Sequence, residues 1–382
     1  GIVYVIDGIR RTSADFNGLD PNEIESVSIL KDASAVAVYG LDANGVFIVT
    51  TKQGKAEKMS ITYTGSVGFS QNAEQQEWLD GPGYAYWYNK ARELQGDSQV
   101  FTAEMVQKMK DGVDGWGNTN WYDKVYGTGT RTHHNISATG GSDRVRFFAS
   151  IGYLNEDGIL INTGFQRYNA RVNVNSNITD WFKANMNASL SNSVQDYSDY
   201  DGSSTSNVWY SAQFVSPLFP VYVKGLDGKN VLGEDGKPQL DYGENGRPGS
   251  YTDYNPVGGL TDDKSNKNND VASLRTGVTF GSDKDNFGVF KGIKLNVNFG
   301  LDYRNQSRMS YMNMYHGNQA TAGGLLTKYN TRMQSYTFNQ LLSWNRSFGL
   351  HSFDVLAGHE FYAYSYEYLK AGKTNLVDGI LE

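Results

Sequence analysis

The residues with the chemistry to act on a substrate or a metal are few in this sequence, and their spacing excludes most reactions. His133 and His134 are adjacent, so in a strand they point to opposite faces and cannot form one site. The chain has 382 residues, 5 His and no Cys. Thiolate metal centres and disulfide frameworks are therefore excluded. The Asp/Gly-rich stretch from Leu226 to Asp270 invites a calcium reading, yet it lacks the D-x-[DN]-x-[DN]-G loop with its distal Glu, and a flexible loop is the better reading. No G-x-G-x-x-G or phosphate loop follows any strand. No catalytic constellation, metal or cofactor is expected, and the chain does not read as an enzyme. Trp116, Trp121, Trp209 and Tyr210 offer flat faces that could stack on sugar rings or peptide side chains. Packing a loop onto its own fold or onto a partner is the commoner use of such residues, and is favoured here.

The elements that must position these residues are mostly strands. Composition points the same way, with 43 Gly, 26 Tyr, 18 Phe and only 20% charged residues. A formal charge of −7 without a basic block argues against nucleic acid as a partner. No apolar run approaches the ~20 residues a membrane-spanning helix needs. A mean hydropathy of −0.53 is compatible with a soluble protein and equally with a pore wall that alternates polar and apolar residues.

The first 57 residues read as a compact α/β unit. An opening strand, Ile2 to Ile6, ends in the turn Asp7-Gly8. Asp20-Pro21-Asn22-Glu23 has an N-cap acid, a proline at the first helical position and an acid three residues after the cap, which predicts a short helix. A strand follows at Val27 to Leu30, then a helix from Ala33 to Tyr39 capped by Asp32 and ended by Gly40. Asn44-Gly45 turns into a last strand, Val46 to Thr51. The chain opens directly on a strand, without an initiating Met or a leader pattern, which suggests that it begins inside a domain.

From residue 58 onward the period changes to two. Ile61, Tyr63, Val67 and Phe69 share one face, with Ser, Thr and Gly on the other. The same alternation recurs near Thr130 to Ala138, then at Val145 to Tyr153, Tyr168 to Val174, Phe182 to Leu190, Ala272 to Phe280, Ile293 to Tyr303, Tyr336 to Trp344 and Phe353 to Phe361. That makes nine strands. A soluble sandwich also alternates. The connections, however, run long, short, medium, short, long, short, long and short, with the long ones at 71–129, 196–268 and 306–331. Long loops outside and short turns inside are the pattern of an outer-membrane barrel. Alternating directions put Tyr153, Tyr168 and Tyr303 at the upper rim. Phe147, Phe182, Phe280, Trp344 and Phe353 fall near the lower one, making two aromatic girdles.

The residues also match a family. Val3-Tyr4-Val5-Ile6-Asp7-Gly8, then Leu19 to Val27 with Glu25 inside it, then Ile29-Leu30-Lys31-Asp32-Ala33-Ser34 running on to Tyr39-Gly40, and Ala43-Asn44-Gly45-Val46, resemble the plug of SusC/RagA-type TonB-dependent outer-membrane transporters. His134 to Gly141 and Ala149 to Leu160 look like that family's second and third barrel strands. The chain departs from the pattern at Leu41-Asp42, where the family has a serine-arginine-small stretch. The resemblance implies a mainly β fold: a transmembrane antiparallel β-barrel, here about nine strands of about 22, preceded by the C-terminal part of an α/β plug at 1–57, with 58–382 as the first part of the barrel. Nine is odd, whereas single-chain bacterial barrels are even and closed, so a partial barrel is expected.

The resemblance further implies import of an oligosaccharide or peptide across the bacterial outer membrane. Its expected partners are a SusD-like lipoprotein at the outer mouth, the TonB-ExbB-ExbD complex acting on a segment absent from this chain, and outer-membrane lipid. A passive porin or adhesin barrel and a soluble β-rich glycan-binding protein remain open as alternatives. In the barrel reading, Arg144, Arg146, Arg171, Lys183, Arg275, Lys294 and Arg304 face inward with Asp302 as the one acid among those strands. Part of this basic row is expected to meet plug carboxylates such as Glu23, Glu25 and Asp32.

Overall fold

The computed structural model describes residues 2–31, 45–73, 76–198, 208–233, 236–243, 247–248, 254–282, 290–315 and 319–377. Two sheets organise them, one of four strands and one of nine.

The four-stranded sheet is built from β1 (Ile2–Ile6), β2 (Ile9–Arg11), β3 (Ile24–Leu30) and β4 (Gly45–Thr51), in the order β2-β1-β4-β3. β1 and β4 are parallel, and the two outer pairs are antiparallel. Asp7 and Gly8 have φ of 49° and 81°, the left-handed pair that a two-residue hairpin turn requires. Asp7 also ties the turn to β4, accepting from the Thr51 amide at 2.8 Å and the Thr51 hydroxyl at 2.8 Å. Val3, Val5 and Val46 form the small core, and Tyr4 stacks between Phe16 and Phe47. β2 and the short helix α1 (Ser13–Asn17) carry too few apolar residues to be read from periodicity. The helix expected at Asp20 is a single 3-10 turn, Pro21–Glu23, with the Asp20 carboxylate accepting from the Asn22 amide at 2.8 Å. The expected helix of Ala33 to Tyr39, and with it Asp32, Ala33, Ser34, Tyr39, Gly40 and Asn44, lies outside the described residues.

The nine-stranded sheet is an antiparallel meander in strict chain order. Its strands are β5 (Ser60–Ser70), β6 (Gly129–Gly141), β7 (Val145–Asp157), β8 (Gly164–Asn177), β9 (Phe182–Tyr197), β10 (Lys264–Gly281), β11 (Ile293–Met312), β12 (Leu325–Phe348) and β13 (His351–Thr374). All nine coincide with predicted strands, but several continue far beyond the apolar alternation. β12 and β13 each have 24 residues, about 80 Å at ~3.4 Å per residue. A lipid-facing band needs only about 9–11 residues. In β10 the extra length, Lys264 to Asp270, is polar on both faces, so it shows no period while the backbone ladder continues. The connections expected at 196–268 and 306–331 consequently shrink to 198–263 and 313–324.

One face of the sheet is apolar and bare: Ile61 is 68% exposed and Ile151 70%. A contiguous surface of this kind is stable only against lipid or another protein. Aromatic rows mark its two ends. Tyr153 and Tyr168 are cross-strand partners with ring centroids 4.9 Å apart, and His134 and Tyr63 extend that row. At the opposite end Phe182 and Phe280 stack at 5.0 Å, and Phe348 bridges Trp344 and Phe353. Among the described residues no helix is long and apolar enough to cross a membrane.

The two longest connections fold together. Helices α2 (Gly81–Leu94), α3 (Ala103–Asp111), α4 (Trp121–Val125), α5 (Val208–Phe214) and α6 (Gly258–Thr261) surround two apolar cores. α2, α3 and α4 all lie in the connection between β5 and β6. Backbone bonds from Gly117 to Leu218 (2.8 Å) and from Thr119 to Pro217 (2.9 Å) stitch one connection to the other. Burial in the larger core raises the Tyr254 phenol well above its usual range.

Candidate functional site

The second face of the nine-stranded sheet is polar, and the four-stranded unit packs against it through side chains that alternate with the bare apolar ones. β8 shows the logic most clearly. Its inward residues Arg167, Asn169, Arg171, Asn173 and Asn175 follow at every second position, as the strand pleat dictates. Each reaches the four-stranded unit or the residues that leave it. Arg167 donates to the Asn17 carbonyl at 3.2 Å. Asn169 donates to Glu23 at 2.6 Å, and Arg171 to the other oxygen of Glu23 at 2.8 Å. Asn173 donates to the Lys52 carbonyl at 2.7 Å and Asn175 to Gln53 at 3.0 Å.

Glu23 is the centre of this contact. Its side chain is 3% exposed and that of Arg171 is 6% exposed. Ser150 on β7 supplies a third donor at 3.0 Å. A buried carboxylate with a charge-assisted partner and two further donors has its desolvation cost offset. The 3-10 turn aims Glu23 outward, and the cap residue of that turn does a second job. One oxygen of Asp20 holds the Asn22 amide, while the other pairs with His133 Nε2 on β6 at 2.7 Å. Gly152 on β7 makes room for this. A Cβ there would lie 2.6 Å from Asp20 Oδ2 and 2.5 Å from Asn169 Oδ1.

A second contact lies three strands away. Ser150, Arg171, Ser189, Ser273, Asp302 and Ser335 occupy one register row across β7 to β12. Asp302 is the acid in that row. It pairs with Arg275 at 2.5 Å and with Arg11 of β2, which also donates to Ser273 at 2.7 Å. Arg304 pairs with Asp15 of α1. Between the two contacts lies a cavity of about 330 Å³ lined by both elements, among them Arg11, Asp15, Glu23, Arg167, Arg171 and Arg275.

The structure thus joins Arg171 to Glu23, the pairing expected from a basic lining against unit carboxylates. It distributes the other expected residues differently. Arg144 lies in the turn before β7 and is exposed, because the strand starts only at Val145. Arg146 is half-buried without an ion pair among the described residues. Lys183 is exposed, and Glu25 lies on the open face of β3. Leu30 packs against the unit's core, Lys31 follows it, and Gly45 starts β4. Asp15, Asp20, Arg11 and His133 were not singled out as docking residues. Asp20 was legible as a cap and His133 only as one of two adjacent residues on opposite faces, and nothing in the sequence couples them. His133 and His134 do diverge, the latter accepting or donating at the Tyr63 hydroxyl at 2.8 Å on the outer face.

The loop aromatics are mostly structural. Trp121 is 3% exposed and donates its indole N–H to the Ser216 carbonyl at 3.0 Å, and Trp116 is 7% exposed in the neighbouring core. Both rings are committed to the loop cores. Tyr210 is half-buried and stacks on Phe214 at 4.1 Å, and the side chain of Trp209 lies outside the described residues. Among the described residues no group of three or more His, Asp or Glu is placed to hold a metal ion.

No family model matches the chain. It is 29% identical over 374 residues to the TonB-dependent receptor SusC of Bacteroides thetaiotaomicron, covering 94% of this chain and 34% of that protein. It is 27% identical over 390 residues to the TonB-dependent receptor P3 of Formosa agariphila, covering 98% of this chain and 34% of that protein. The chain therefore spans about a third of the length of these curated relatives. Its fold is similar to a chain of the RagAB peptide transporter, with a TM-score of 0.75 at 21% identity, covering 99% of this chain and 43% of that one. The same importer in its closed-closed state gives 0.74 at 22% identity. Over nearly its whole length this chain is similar in sequence to TonB-dependent receptors, SusC among them, and in fold to a chain of the RagAB peptide transporter.

Proposed function

We propose that the protein carrying this chain is a gated importer in the bacterial outer membrane, in which residues 1–57 are the C-terminal part of a plug and 58–382 the first part of a barrel. The observation that carries the reading is the chemistry of the contact between the two. A permanent domain interface buries apolar surface. This one is made of Asn, Arg, Ser, Asp and Glu side chains, whose bonds water can replace one by one. Such a stopper seals a lumen and can be withdrawn without exposing an apolar core. The opposite face of the wall, bare and apolar between aromatic rows, suits lipid.

The energy to withdraw the plug would come from TonB with ExbB and ExbD, pulling on a plug segment that precedes these residues. A SusD-like lipoprotein would close the outer mouth over the folded loops, and the cargo would be an oligosaccharide or a peptide. The likeness to the RagAB peptide transporter and to SusC supports this class of function. Uptake of the cargo in cells with and without TonB tests it. We expect uptake to fall to background without TonB, and undiminished uptake would leave only a passive pore.

A further inference from the structure

The cavity of about 330 Å³ between the four-stranded unit and the wall carries a charge imbalance that the contacts on either side of it leave unresolved. Three carboxylates line it, and each is held by groups of the protein. Asp7 accepts from the Thr51 amide and hydroxyl, Asp15 from Thr12 and Arg304, and Glu23 from Ser150, Asn169 and Arg171. Five cations line it as well. Arg171 is taken by Glu23, and Arg11 and Arg275 share Asp302. Arg167 and Lys267 are left, and neither forms an ion pair among the described residues.

Arg167 is the more exacting of the two. It is 6% exposed, its one hydrogen bond among the described residues runs to the Asn17 carbonyl at 3.2 Å, and its Nε is buried without a partner. Asp20 and Glu23 act on it only from a distance, being bonded to His133 and Arg171, and Arg131 opposes them. A buried guanidinium with one neutral acceptor has given up its hydration without replacing it.

The neighbours supply the rest of a site. Arg167, Ser193, Asn269 and Gln306 form one register row across β8 to β11, and Lys267 stands two residues along β10 on the same face. Strand spacing puts the Cα atoms of Arg167 and Lys267 about 12 Å apart, a gap that two long side chains close onto a single ion between them. Ser193, Asn269 and Gln306 line the cavity beside them, and their side-chain hydrogens have no acceptor among the described residues. Two cations with neutral O–H and N–H donors in one pocket are the donor set of an oxyanion.

We infer that this cavity is a site for a small inorganic oxyanion, sulfate or phosphate, held between Arg167 and Lys267. The ion is not the cargo; it tightens the contact that seals the lumen. Arg11, Asp15, Asn17 and Leu19 close the cavity from the side of the four-stranded unit, so the ion fits only the docked arrangement and stabilises it.

Calorimetry on the intact protein in detergent, in chloride buffer at constant ionic strength, tests the site with sulfate and with phosphate. Saturable binding of one ion per chain is expected, weakened at least tenfold by Arg167→Gln and by Lys267→Gln. Lys267 has no bond to the unit to lose, so its variant reads the site with the contact intact, which hydrogen exchange in sulfate-free buffer verifies. Lys90→Gln, on the exposed side of α2, should bind as the wild type does. Saturating sulfate should slow exchange of residues 9–19 at least threefold in the wild type and leave it unchanged in Lys267→Gln. Methyl phosphate separates a free ion from an anionic group borne by a larger molecule: the site should bind it no tighter than phosphate, and a tenfold preference for the ester would overturn the inorganic ligand. No saturable binding, binding indifferent to both variants, or slowed exchange that persists in Lys267→Gln would overturn the site.

Discussion

Replacing Glu23 by alanine is expected to loosen the four-stranded unit from the wall by about 3–5 kcal/mol, the cost of leaving one member of a buried ion pair unpartnered. Arg171 stays behind at 6% exposure with its charge uncompensated, and Ser150 and Asn169 lose their acceptor. Hydrogen exchange over residues 2–31 and 45–51 reads the effect, and should accelerate while β10 to β13 keep wild-type protection. The pair can be separated from its parts. Arg171→Met in the Glu23→Ala background removes the stranded charge, so the double variant should be less perturbed than Glu23→Ala alone. Equal or greater perturbation in the double variant would show that the charge is not what holds the unit. Glu23→Gln, which keeps an acceptor for Ser150 and Asn169, should fall between wild type and alanine.

The second large effect lies in the loops. Trp121→Ala should cost about 3–5 kcal/mol of loop stability, through the cavity it opens and the lost bond to Ser216. Trp121 joins helix α4 of one long connection to α5 and residues 215–219 of the other. Limited proteolysis should therefore cut both 76–128 and 208–263 in the variant, with the strands untouched. Trp121→Phe, which restores most of the volume, should recover much of the resistance. Loops that stay protected in Trp121→Ala would place the fold of this region elsewhere.

How much of this was legible follows from what leaves a period in a sequence. The nine strands were legible because one face of each is apolar and the other polar, as in Tyr168, Ala170, Val172 and Val174 against Asn169, Arg171 and Asn173. Strand length was not, since above the apolar band Lys264 to Asp270 is polar on both faces and carries no alternation. The short edge strand Ile9–Arg11 and helix Ser13–Asn17 fell below the length at which a period emerges. Charge in the inward row pointed to a polar contact, and Arg171 with Glu23 is that contact. Partner choice was not legible elsewhere. Asp302 meets Arg11 and Arg275, and Arg304 meets Asp15, through proximity created by the register of distant strands. Trp116 and Trp121 are of the same type as the exposed Trp78. Only the meeting of two loops more than 80 residues apart in sequence separates core from surface, as the 95-residue span of the Trp121 to Ser216 bond shows.

The central claim is that the four-stranded unit closes the lumen of a membrane-spanning wall. Conductance of the intact protein in planar lipid bilayers tests it most directly, compared with a variant lacking residues 2–51. The account predicts a silent intact protein and a large, steady conductance once the unit is removed. Steady conduction by the intact protein, or a variant that inserts and stays closed, would contradict it.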